Sequence, residues 1–341
     1  MARVKARAMD QNTTNQIVVA AFYKFAALPD FAQFQQQLQD VAGNNQVCGT
    51  ILLAHEGVNG TIAGPRDGID QVIATIKTLP GCDGLEWKES FTDQNPFHRL
   101  KVRLKKEIVT MGVQNIEPHK SYEQYVEPTE WNNVISDPDT LVIDTRNDYE
   151  VSIGTFKGAI NPATNSFRDF PAWFRKFREE NDVKKVAMFC TGGIRCEKST
   201  AFLRSEGVDD VVHLKGGILK YLETVPEDKS LWNGECFVFD QRVSVGHDLS
   251  PGSYDQCFGC RRPITEDDKT SPLYIEGISC PACFDEHSEE RKTAFAERQK
   301  QIKLAKERGE KHIGTKKVQK PTATKNSDFP GLKIDWDERD F

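Results

Sequence analysis

The sequence predicts an α/β protein with three parts: an N-terminal ferredoxin-like α+β domain over 16–111, a central parallel α/β domain over 121–228, and a C-terminal module over 229–320. Three observations lead to this prediction. The chain has 341 residues, which is more than one ordinary core accommodates. Short apolar runs alternate with helical patterns in its middle. Two Cys-x-x-Cys pairs follow, in a region that ends in a basic helical tail. We expect 321–341 to be a disordered tail.

The N-terminal domain shows the order strand, helix, strand, strand, helix, strand, which is typical of ferredoxin-like sandwiches. A further strand is expected to extend its sheet. Hydrophobic periodicity predicts these elements at 17–25, 31–41, 49–54, 61–63, 67–79, 85–91 and 100–109. The stretch 55–60 contains an Asn-Gly pair, which favours a tight turn. We therefore expect a turn over 55–60 that leads into the third strand.

The last strand of this domain carries an alternating basic pattern. Its basic residues are Arg99, Lys101, Arg103 and Lys105, and the apolar residues between them are Leu100, Val102 and Leu104. An alternation of period two places all the basic side chains on one face of the strand. A solvated outer face is the ordinary explanation of such a pattern. Because like charges on one face repel each other unless an anion lies between them, the four basic residues are also our candidates for RNA phosphate contacts.

The central domain is predicted to follow a linker over 112–130. Its elements are expected as strands at 140–144, 153–161, 186–189 and 211–214 and helices at 169–180, 196–206 and 218–223. Strands that alternate with helices form a parallel sheet, and ligands bind beyond the carboxyl ends of such strands. Asp144, Arg146 and Cys190 all lie at or just past strand ends, so we expect them near one site.

The loop after the third of these strands is the candidate active site. It consists of Cys190, Thr191, Gly192, Gly193, Ile194 and Arg195. Loop N–H groups, the N-terminus of the following helix and the Arg195 charge all favour an anion, and so all lower the pKa of the Cys190 thiol. Since the thiolate is the nucleophilic form, Cys190 is a candidate catalytic residue. The alternative is an inert cysteine packed at the end of a buried strand.

The C-terminal module begins with a strand-like stretch over 236–245 and contains a candidate metal site. Its ligands would be Cys257, Cys260, Cys280 and Cys283. The spacing is typical of a structural zinc site, in which four protein ligands leave no open position for a substrate. Redox-active pairs or unmetallated thiols are the alternatives. The segment 291–320 has eleven Lys or Arg and three Glu, about +8 (11 minus 3), and is either a solvated helix or an RNA-binding arm.

Composition limits the classes of function. The formal net charge of -6 argues against attraction of the whole protein to nucleic acid, so any RNA binding must use local basic patches. Nine cysteines without a secretion signal indicate reduced thiols or metal ligands. The polar N-terminus and the lack of a long apolar run predict a cytoplasmic protein without a membrane segment.

The central domain resembles rhodanese domains. The matching motifs are Asp144-Thr145-Arg146 with Glu150, Gly158-Ala159-Ile160-Asn161, the cysteine loop, and His213-Leu214-Lys215-Gly216-Gly217. In that family the loop cysteine carries a persulfide that the loop amides hold. The resemblance assigns this role to Cys190. Cys196 is either a resolving cysteine, which would form a disulfide with Cys190, or a packing residue of the first helical turn.

The resemblance extends over nearly the whole chain. The rhodanese motifs occur together with the N-terminal His55-Glu56-Gly57-Val58-Asn59-Gly60-Thr61 stretch, the basic strand, the loop extension Cys196-Glu197-Lys198 and the two Cys-x-x-Cys pairs. This arrangement is similar to the bacterial oxygen-dependent tRNA uridine-34 hydroxylases. It implies formation of 5-hydroxyuridine in the anticodon loop of tRNA, with molecular oxygen as co-substrate and an electron donor that the sequence does not identify. The sequence has no flavin or haem signature.

Three other functions fit parts of the pattern. A plain sulfurtransferase would use a Cys190 persulfide but would not need the flanking domains or the basic segments. A non-catalytic RNA-binding protein would leave Cys190 dispensable. A cysteine phosphatase also binds an anion in a loop, but its loop has one residue more between cysteine and arginine than the four that separate Cys190 from Arg195.

Overall fold

The structure, a computed structural model, describes residues 16–118 and 124–309. The predicted tail over 321–341 lies outside these residues, as does the basic segment beyond 309. In the described parts of the chain, every helix is too short or too polar to cross a bilayer.

The N-terminal domain is a five-stranded sheet with two helices on one face. Its elements are β1 (Ile17–Phe25), α1 (Phe34–Asn44), β2 (Cys48–Ala54), β3 (Gly57–Gly64), α2 (Arg66–Lys77), β4 (Trp87–Thr92) and β5 (Leu100–Leu104). The strand order β4-β1-β3-β2-β5 confirms the ferredoxin-like prediction. The additional strand β5 pairs in parallel with β2 and ends earlier than the predicted 109. Its apolar side chains pack on the core beneath the helices.

The turn predicted over 55–60 is wrong. The hairpin between β2 and β3 turns at His55 and Glu56 alone, and the Asn-Gly pair lies inside β3. A Cβ at Gly60 would lie 2.7 Å from the Phe22 ring and from the Thr50 carbonyl oxygen. Gly60 therefore permits close packing in the middle of the sheet, and its φ is not positive.

The central domain has a parallel four-stranded sheet in the order β6-β10-β9-β7. Its elements are β6 (Tyr125–Val126), α3 (Pro128–Ile135), β7 (Leu141–Asp144), α4 (Asp148–Val151), β8 (Gly154–Phe156), α5 (Phe170–Glu180), β9 (Lys185–Phe189), α6 (Ile194–Ser205), β10 (Asp210–Leu214) and α7 (Gly217–Thr224). The parallel α/β prediction is confirmed. The linker predicted over 112–130 is wrong at its end, because 125–126 forms the edge strand β6 and helix α3 begins at Pro128.

Helix α6 is buried on all sides over residues 195–203. It begins at Ile194, two residues earlier than predicted, and Gly207 follows its end with a φ of 85°. A glycine in this left-handed conformation is the usual way for a helix to end. The helix is buried on all sides because it packs between its own sheet and the N-terminal domain.

The C-terminal module consists of short elements followed by one long helix. The short elements are β11 (Trp232–Gly234), β12 (Cys236–Phe237), β13 (Ser244–Val245), β14 (Asp255–Gln256), β15 (Pro263–Ile264) and α8 (Glu266–Thr270), and the long helix is α9 (Glu289–Glu307). The single strand predicted over 236–245 is wrong. Strands β12 and β13 pair with each other, and the turn between them contains Val243 at a φ of 64°. Arg242 and Asp240 form an ion pair within this turn.

Candidate active site

The Cys190 loop joins β9 to α6 and folds back over the cysteine sulfur. Cys190 is fully buried, and the N–H of Gly193 donates a hydrogen bond to its Sγ at 3.1 Å. Gly193 has a φ of 107°, and a Cβ on it would lie 2.6 Å from the Tyr23 hydroxyl. Both the backbone conformation and the close approach of Tyr23 therefore require glycine at this position.

Helix α7 fixes the other side of the loop. The N–H of Ile218 donates to the Cys190 carbonyl at 3.0 Å, and the N–H of Leu219 donates to the Thr191 carbonyl at 3.1 Å. A Cβ at Gly217 would lie 2.5 Å from the Cys190 carbonyl oxygen. Gly217, the first residue of α7, thus lets two backbones approach closely enough for these bonds.

Glu150 holds Arg195 in a buried, bidentate ion pair. Its Nη1 and Nη2 atoms each lie 2.7 Å from a carboxylate oxygen of Glu150. Burial raises the pKa of Glu150, but the charge and hydrogen bonds of Arg195 outweigh it, so the net pKa is lowered. Glu150 also accepts the backbone N–H of Asn147 at the start of α4. Glu150 is part of the rhodanese-like motif, but the sequence analysis did not identify it as a site residue.

Asp144 and Arg146, the predicted supporting residues, form a second buried ion pair. Arg146 donates to the Asp144 carboxylate at 2.9 and 2.6 Å. It also donates to the backbone carbonyls of Glu150 at 3.1 Å and Gly154 at 2.5 Å. Arg146 therefore positions the backbone of Glu150, whose side chain positions Arg195. The pair is therefore linked to the loop through Glu150.

The surroundings of Cys190 favour its thiolate. Burial alone raises the pKa of the Cys190 thiol. The Cys196 thiol, the Arg195 charge and the backbone N–H groups of Cys196 and Gly193 outweigh burial and lower this pKa to about 5. Burial and the neighbouring sulfur raise the pKa of Cys196 well above its usual value. At neutral pH Cys196 therefore keeps its proton beside the Cys190 thiolate.

Side chains of the N-terminal domain contact this loop and its helix. Tyr23 on β1 donates to the Glu197 carboxylate at 2.6 Å, and Lys88 on β4 donates to the Gly192 carbonyl at 2.8 Å. Tyr125 on β6 donates to the same Glu197 oxygen at 3.2 Å. The sequence analysis missed Tyr23 and Lys88, because each occupies one position of an ordinary strand pattern.

A buried lysine holds the two domains together. Lys198, on α6, is 1 % exposed and donates to Glu56 at 2.8 and 2.9 Å and to Glu107 at 2.5 Å. It also donates to the Val109 carbonyl at 2.9 Å. Glu56 lies in the turn between β2 and β3, within the N-terminal motif. The N-terminal motif and the extension of the cysteine loop therefore meet at one ammonium group.

The basic strand shares a sheet face with the residues that contact the loop. Lys101 on β5 pairs with Thr50, Thr50 with Thr61, Thr61 with Ala21, and Ala21 with Lys88. Residues that pair in register lie on the same face of a sheet. Lys101, with Arg103 one period along, is therefore on the face that carries Lys88. Arg99 is exposed, whereas Lys101, Arg103 and Lys105 are half-buried.

The four candidate metal ligands meet in the C-terminal module. The Sγ atoms of Cys257 and Cys283 are 3.9 Å apart, those of Cys260 and Cys280 are 3.8 Å apart, and all four lie within 4.8 Å of one another. A tetrahedron with zinc–sulfur bonds of about 2.3 Å has edges of about 3.8 Å. The donor set therefore fits a tetrahedral, thiolate-coordinated metal ion such as zinc.

Comparisons with known proteins find two family models and several similar structures. Residues 17–108 match the model of the UPF0176 acylphosphatase like domain, and residues 127–224 match that of the Rhodanese-like domain. An acylphosphatase from Coxiella burnetii has 19% identity and a TM-score of 0.22 over 28% of this chain and 100% of its own. A rhodanese-related protein from Thermoplasma volcanium has 23% identity and a TM-score of 0.24 over 30% of this chain and 94% of its own.

A curated relative matches nearly the full length. It is a tRNA uridine(34) hydroxylase from Gluconobacter oxydans (strain 621H), 56% identical over 309 residues, which are 89% of this chain and 99% of the relative. The match leaves only about a tenth of this chain uncovered. The chain therefore belongs to the tRNA uridine(34) hydroxylase family.

Proposed function

We propose that this protein hydroxylates uridine 34 of tRNA at C5, with molecular oxygen as co-substrate and Cys190 as the catalytic residue. The observation that carries the proposal is the environment of Cys190, whose pKa is lowered to about 5 in a chain 56% identical to a tRNA uridine(34) hydroxylase. A cysteine with such a pKa is a thiolate at neutral pH and is ready to act as a nucleophile.

The proposed chemistry begins when the Cys190 sulfur adds to C6 of uracil. The electron pair of the C5–C6 double bond then resides on C5 and O4, and C5 can react with oxygen. One oxygen atom stays on C5 and the other leaves as water, which requires two electrons and two protons from a donor. Departure of the sulfur from C6, with loss of the C5 proton, restores the double bond. Loop N–H groups that hold an anionic sulfur favour this departure.

The substrate would reach the loop along the face of the N-terminal sheet. The basic residues of β5 lie on the same face as Lys88, which contacts the loop. Strands lie about 4.8 Å apart, so β5 and β4, four steps apart in the sheet, are separated by roughly 19 Å. An anticodon loop could place phosphates on the basic residues while one unstacked base enters the site. Helix α9 would supply further basic contacts.

The four-cysteine cluster would bind zinc in a structural role. Its four thiolates would complete the coordination of the ion, so it would bind no substrate. Arg298 of α9 donates to the carbonyls of Phe258 and Gly277, and in this way α9 is attached to the module. Since tRNA is the proposed substrate, we infer the cytoplasm as the site of action.

A sulfurtransferase is the second candidate, because the loop amides could equally hold a Cys190 persulfide. The contacts of Tyr23, Lys88 and Lys198 across the domain junction argue for the hydroxylase. Through these contacts the N-terminal domain forms part of the surroundings of the loop. Sulfur transfer to a small thiol would not require this domain.

Nucleoside mass spectrometry tests the proposal. We expect tRNA from cells that lack the gene to lose the share of 5-hydroxyuridine that depends on this protein, and the wild-type gene to restore it where Cys190→Ala does not. Labelled molecular oxygen should place one labelled atom in the nucleoside. Sulfur transfer by the purified protein without any change in 5-hydroxyuridine would favour the sulfurtransferase instead.

A further inference from the structure

The peptide unit between Gly192 and Gly193 is held at both ends by different domains. Its N–H, from Gly193, donates to the Cys190 sulfur at 3.1 Å. Its carbonyl, from Gly192, accepts a hydrogen bond from Nζ of Lys88 at 2.8 Å. A trans peptide is planar, and its C=O and N–H bonds point in opposite directions. A group that fixes the direction of the carbonyl therefore also fixes the direction of the N–H.

The loop sequence makes such an external contact necessary. Glycine on both sides of this peptide leaves its plane free to rotate, since neither residue has a Cβ that restricts φ and ψ. In the observed orientation Gly193 has a φ of 107°. A Cβ at Gly192 would meet no atom within 4 Å, so packing around that residue does not fix the orientation either.

We propose that Lys88 is a positioning residue for Cys190: by holding the Gly192 carbonyl, it aims the Gly193 N–H at the sulfur. The N-terminal domain thereby sets how well the loop stabilises an anion at Cys190. Polarisation of the peptide by the ammonium group also strengthens its N–H as a donor. This inference rests on the proposed function, in which Cys190 is the reactive residue.

The charges around Lys88 define what its removal changes. Lys88 is half-buried and faces Cys190 and Glu197 across the junction, Glu86 near its own strand, and Lys220 on α7. Burial lowers the pKa of Lys88, and the negative groups only partly offset this effect. Loss of Lys88 removes both a hydrogen bond to the loop and a nearby positive charge, so the test must observe the Gly193 N–H itself.

The first measurement is the pKa of the Cys190 thiol. Ultraviolet thiolate absorbance is followed against pH for each protein and for its Cys190→Ser counterpart, and the difference isolates Cys190 from the other cysteines. We expect Lys88→Met to raise this pKa by about one unit, the order of a weakened hydrogen bond to a charged group. Lys88→Arg, which keeps a charged donor, should stay within a few tenths of a unit of the wild type.

Lys77→Met is the matched control. Lys77 lies in the same domain, and its ammonium contacts the Trp87 ring without reaching the loop. Its loss should leave the Cys190 pKa unchanged. An unchanged Cys190 pKa in Lys88→Met would overturn the proposal.

The second measurement observes the Gly193 amide by NMR. The sequence contains two Gly-Gly pairs, Gly192-Gly193 and Gly216-Gly217. Glycine labelled at both carbonyl carbon and nitrogen therefore gives two signals in an experiment that correlates each amide with a preceding labelled carbonyl. Gly192→Ala, at a position with room for a Cβ, removes the Gly193 signal and so identifies it.

Lys88→Met should move the Gly193 proton signal upfield, in the direction expected for Cys190→Ala, which lacks the acceptor. The Gly217 signal should persist and show that the start of α7 is intact. A Gly193 signal that stays in place in Lys88→Met would show that Lys88 acts only as a charge, and would overturn the proposal. Neither measurement uses tRNA or oxygen. Loss of the hydroxylase assignment and loss of this inference can therefore be told apart.

Discussion

The molecule contains two groups of cysteines in opposite surroundings. Around Cys190 the neighbours are hydrogen-bond donors: the Gly193 N–H at 3.1 Å, the Cys196 thiol and the charge of Arg195. Around Cys257 the neighbours are three other sulfurs, all within 4.8 Å. Hydrogen-bond donors and a positive side chain stabilise one thiolate without a metal ion. Four adjacent thiolates repel each other unless a cation lies between them. The first surroundings suit a nucleophile and the second suit a metal ligand, although the side chain is the same.

The largest expected effect separates the two regions by activity. Cys190→Ala should abolish tRNA hydroxylation, because no other group supplies the nucleophile, while the melting temperature stays close to that of the wild type. Nucleoside mass spectrometry and thermal denaturation of the same preparation provide the two measurements. Full hydroxylation by Cys190→Ala would refute covalent catalysis and remove the contrast between the regions.

Cys257→Ser should show the reverse pattern. Loss of one ligand weakens metal binding, and we expect the C-terminal module to unfold at a temperature lower by roughly 5 °C or more. Elemental analysis should find zinc in the wild type and less in the variant. Cys48→Ser, in the N-terminal sheet, is the control and should retain the zinc. Wild-type protein purified without chelators and free of zinc would contradict the assignment of this region.

The pH dependence of Cys190 sharpens the comparison. Its pKa of about 5 means that the thiolate dominates at neutral pH and is lost as the pH falls through 5. Persulfide formation from a small sulfur donor should therefore be nearly constant between pH 6 and 8 and fall about tenfold per unit well below pH 5. A rate that still rises steeply from pH 7 to 9 would show an ordinary, unstabilised thiol.

Substitutions of Cys196 test whether catalysis requires a disulfide between Cys190 and Cys196. Cys196→Ser keeps a hydrogen-bond donor for Cys190 but cannot form a disulfide, whereas Cys196→Ala has neither ability. We expect near-normal turnover for the serine variant and, for the alanine variant, a Cys190 pKa raised by about one unit. Loss of multiple turnovers in Cys196→Ser, with a normal first turnover, would instead identify Cys196 as a resolving cysteine.

The smallest expected effect concerns substrate binding away from both cysteine regions. Arg103→Glu should weaken tRNA binding and flatten the log–log dependence of affinity on salt by more than one unit, since it removes a phosphate contact and adds repulsion. Lys176→Glu, an identical charge reversal on α5, is the control and should change binding little. Wild-type binding that does not depend on salt would remove the basis for phosphate contacts on β5.

Local patterns predicted much of this molecule. The order of strands and helices in both domains follows from periodicity, and the Cys190 loop lies where a parallel sheet places its ligands. The spacing of the two Cys-x-x-Cys pairs can be read directly from the sequence, and it predicted the four-cysteine cluster. Each element, the loop and each Cys-x-x-Cys pair is a short stretch of chain, so a local pattern is enough to find it.

The features that the sequence analysis missed depend on contacts between distant segments. In the sequence, Lys88 is an ordinary polar residue of a strand. Its contact with the Gly192 carbonyl exists only because the fold places β4 against the loop. The Asn-Gly pair at 59–60 has the composition of a turn, but Gly60 is needed for close packing against Phe22 and Thr50. The stretch 236–245 has the apolar content of one strand, yet a hairpin pairs its two ends. Packing between elements overrode the local preference in both stretches.

The buried ammonium of Lys198 limits how this protein can be divided or recombined. Its partners Glu56, Glu107 and the Val109 carbonyl all precede the central domain in the chain. A central domain without the N-terminal domain would contain Lys198 but none of these three acceptors. A different N-terminal domain would have to place carboxylates where Glu56 and Glu107 lie. Exchange of either domain would therefore leave a buried charge without its partner.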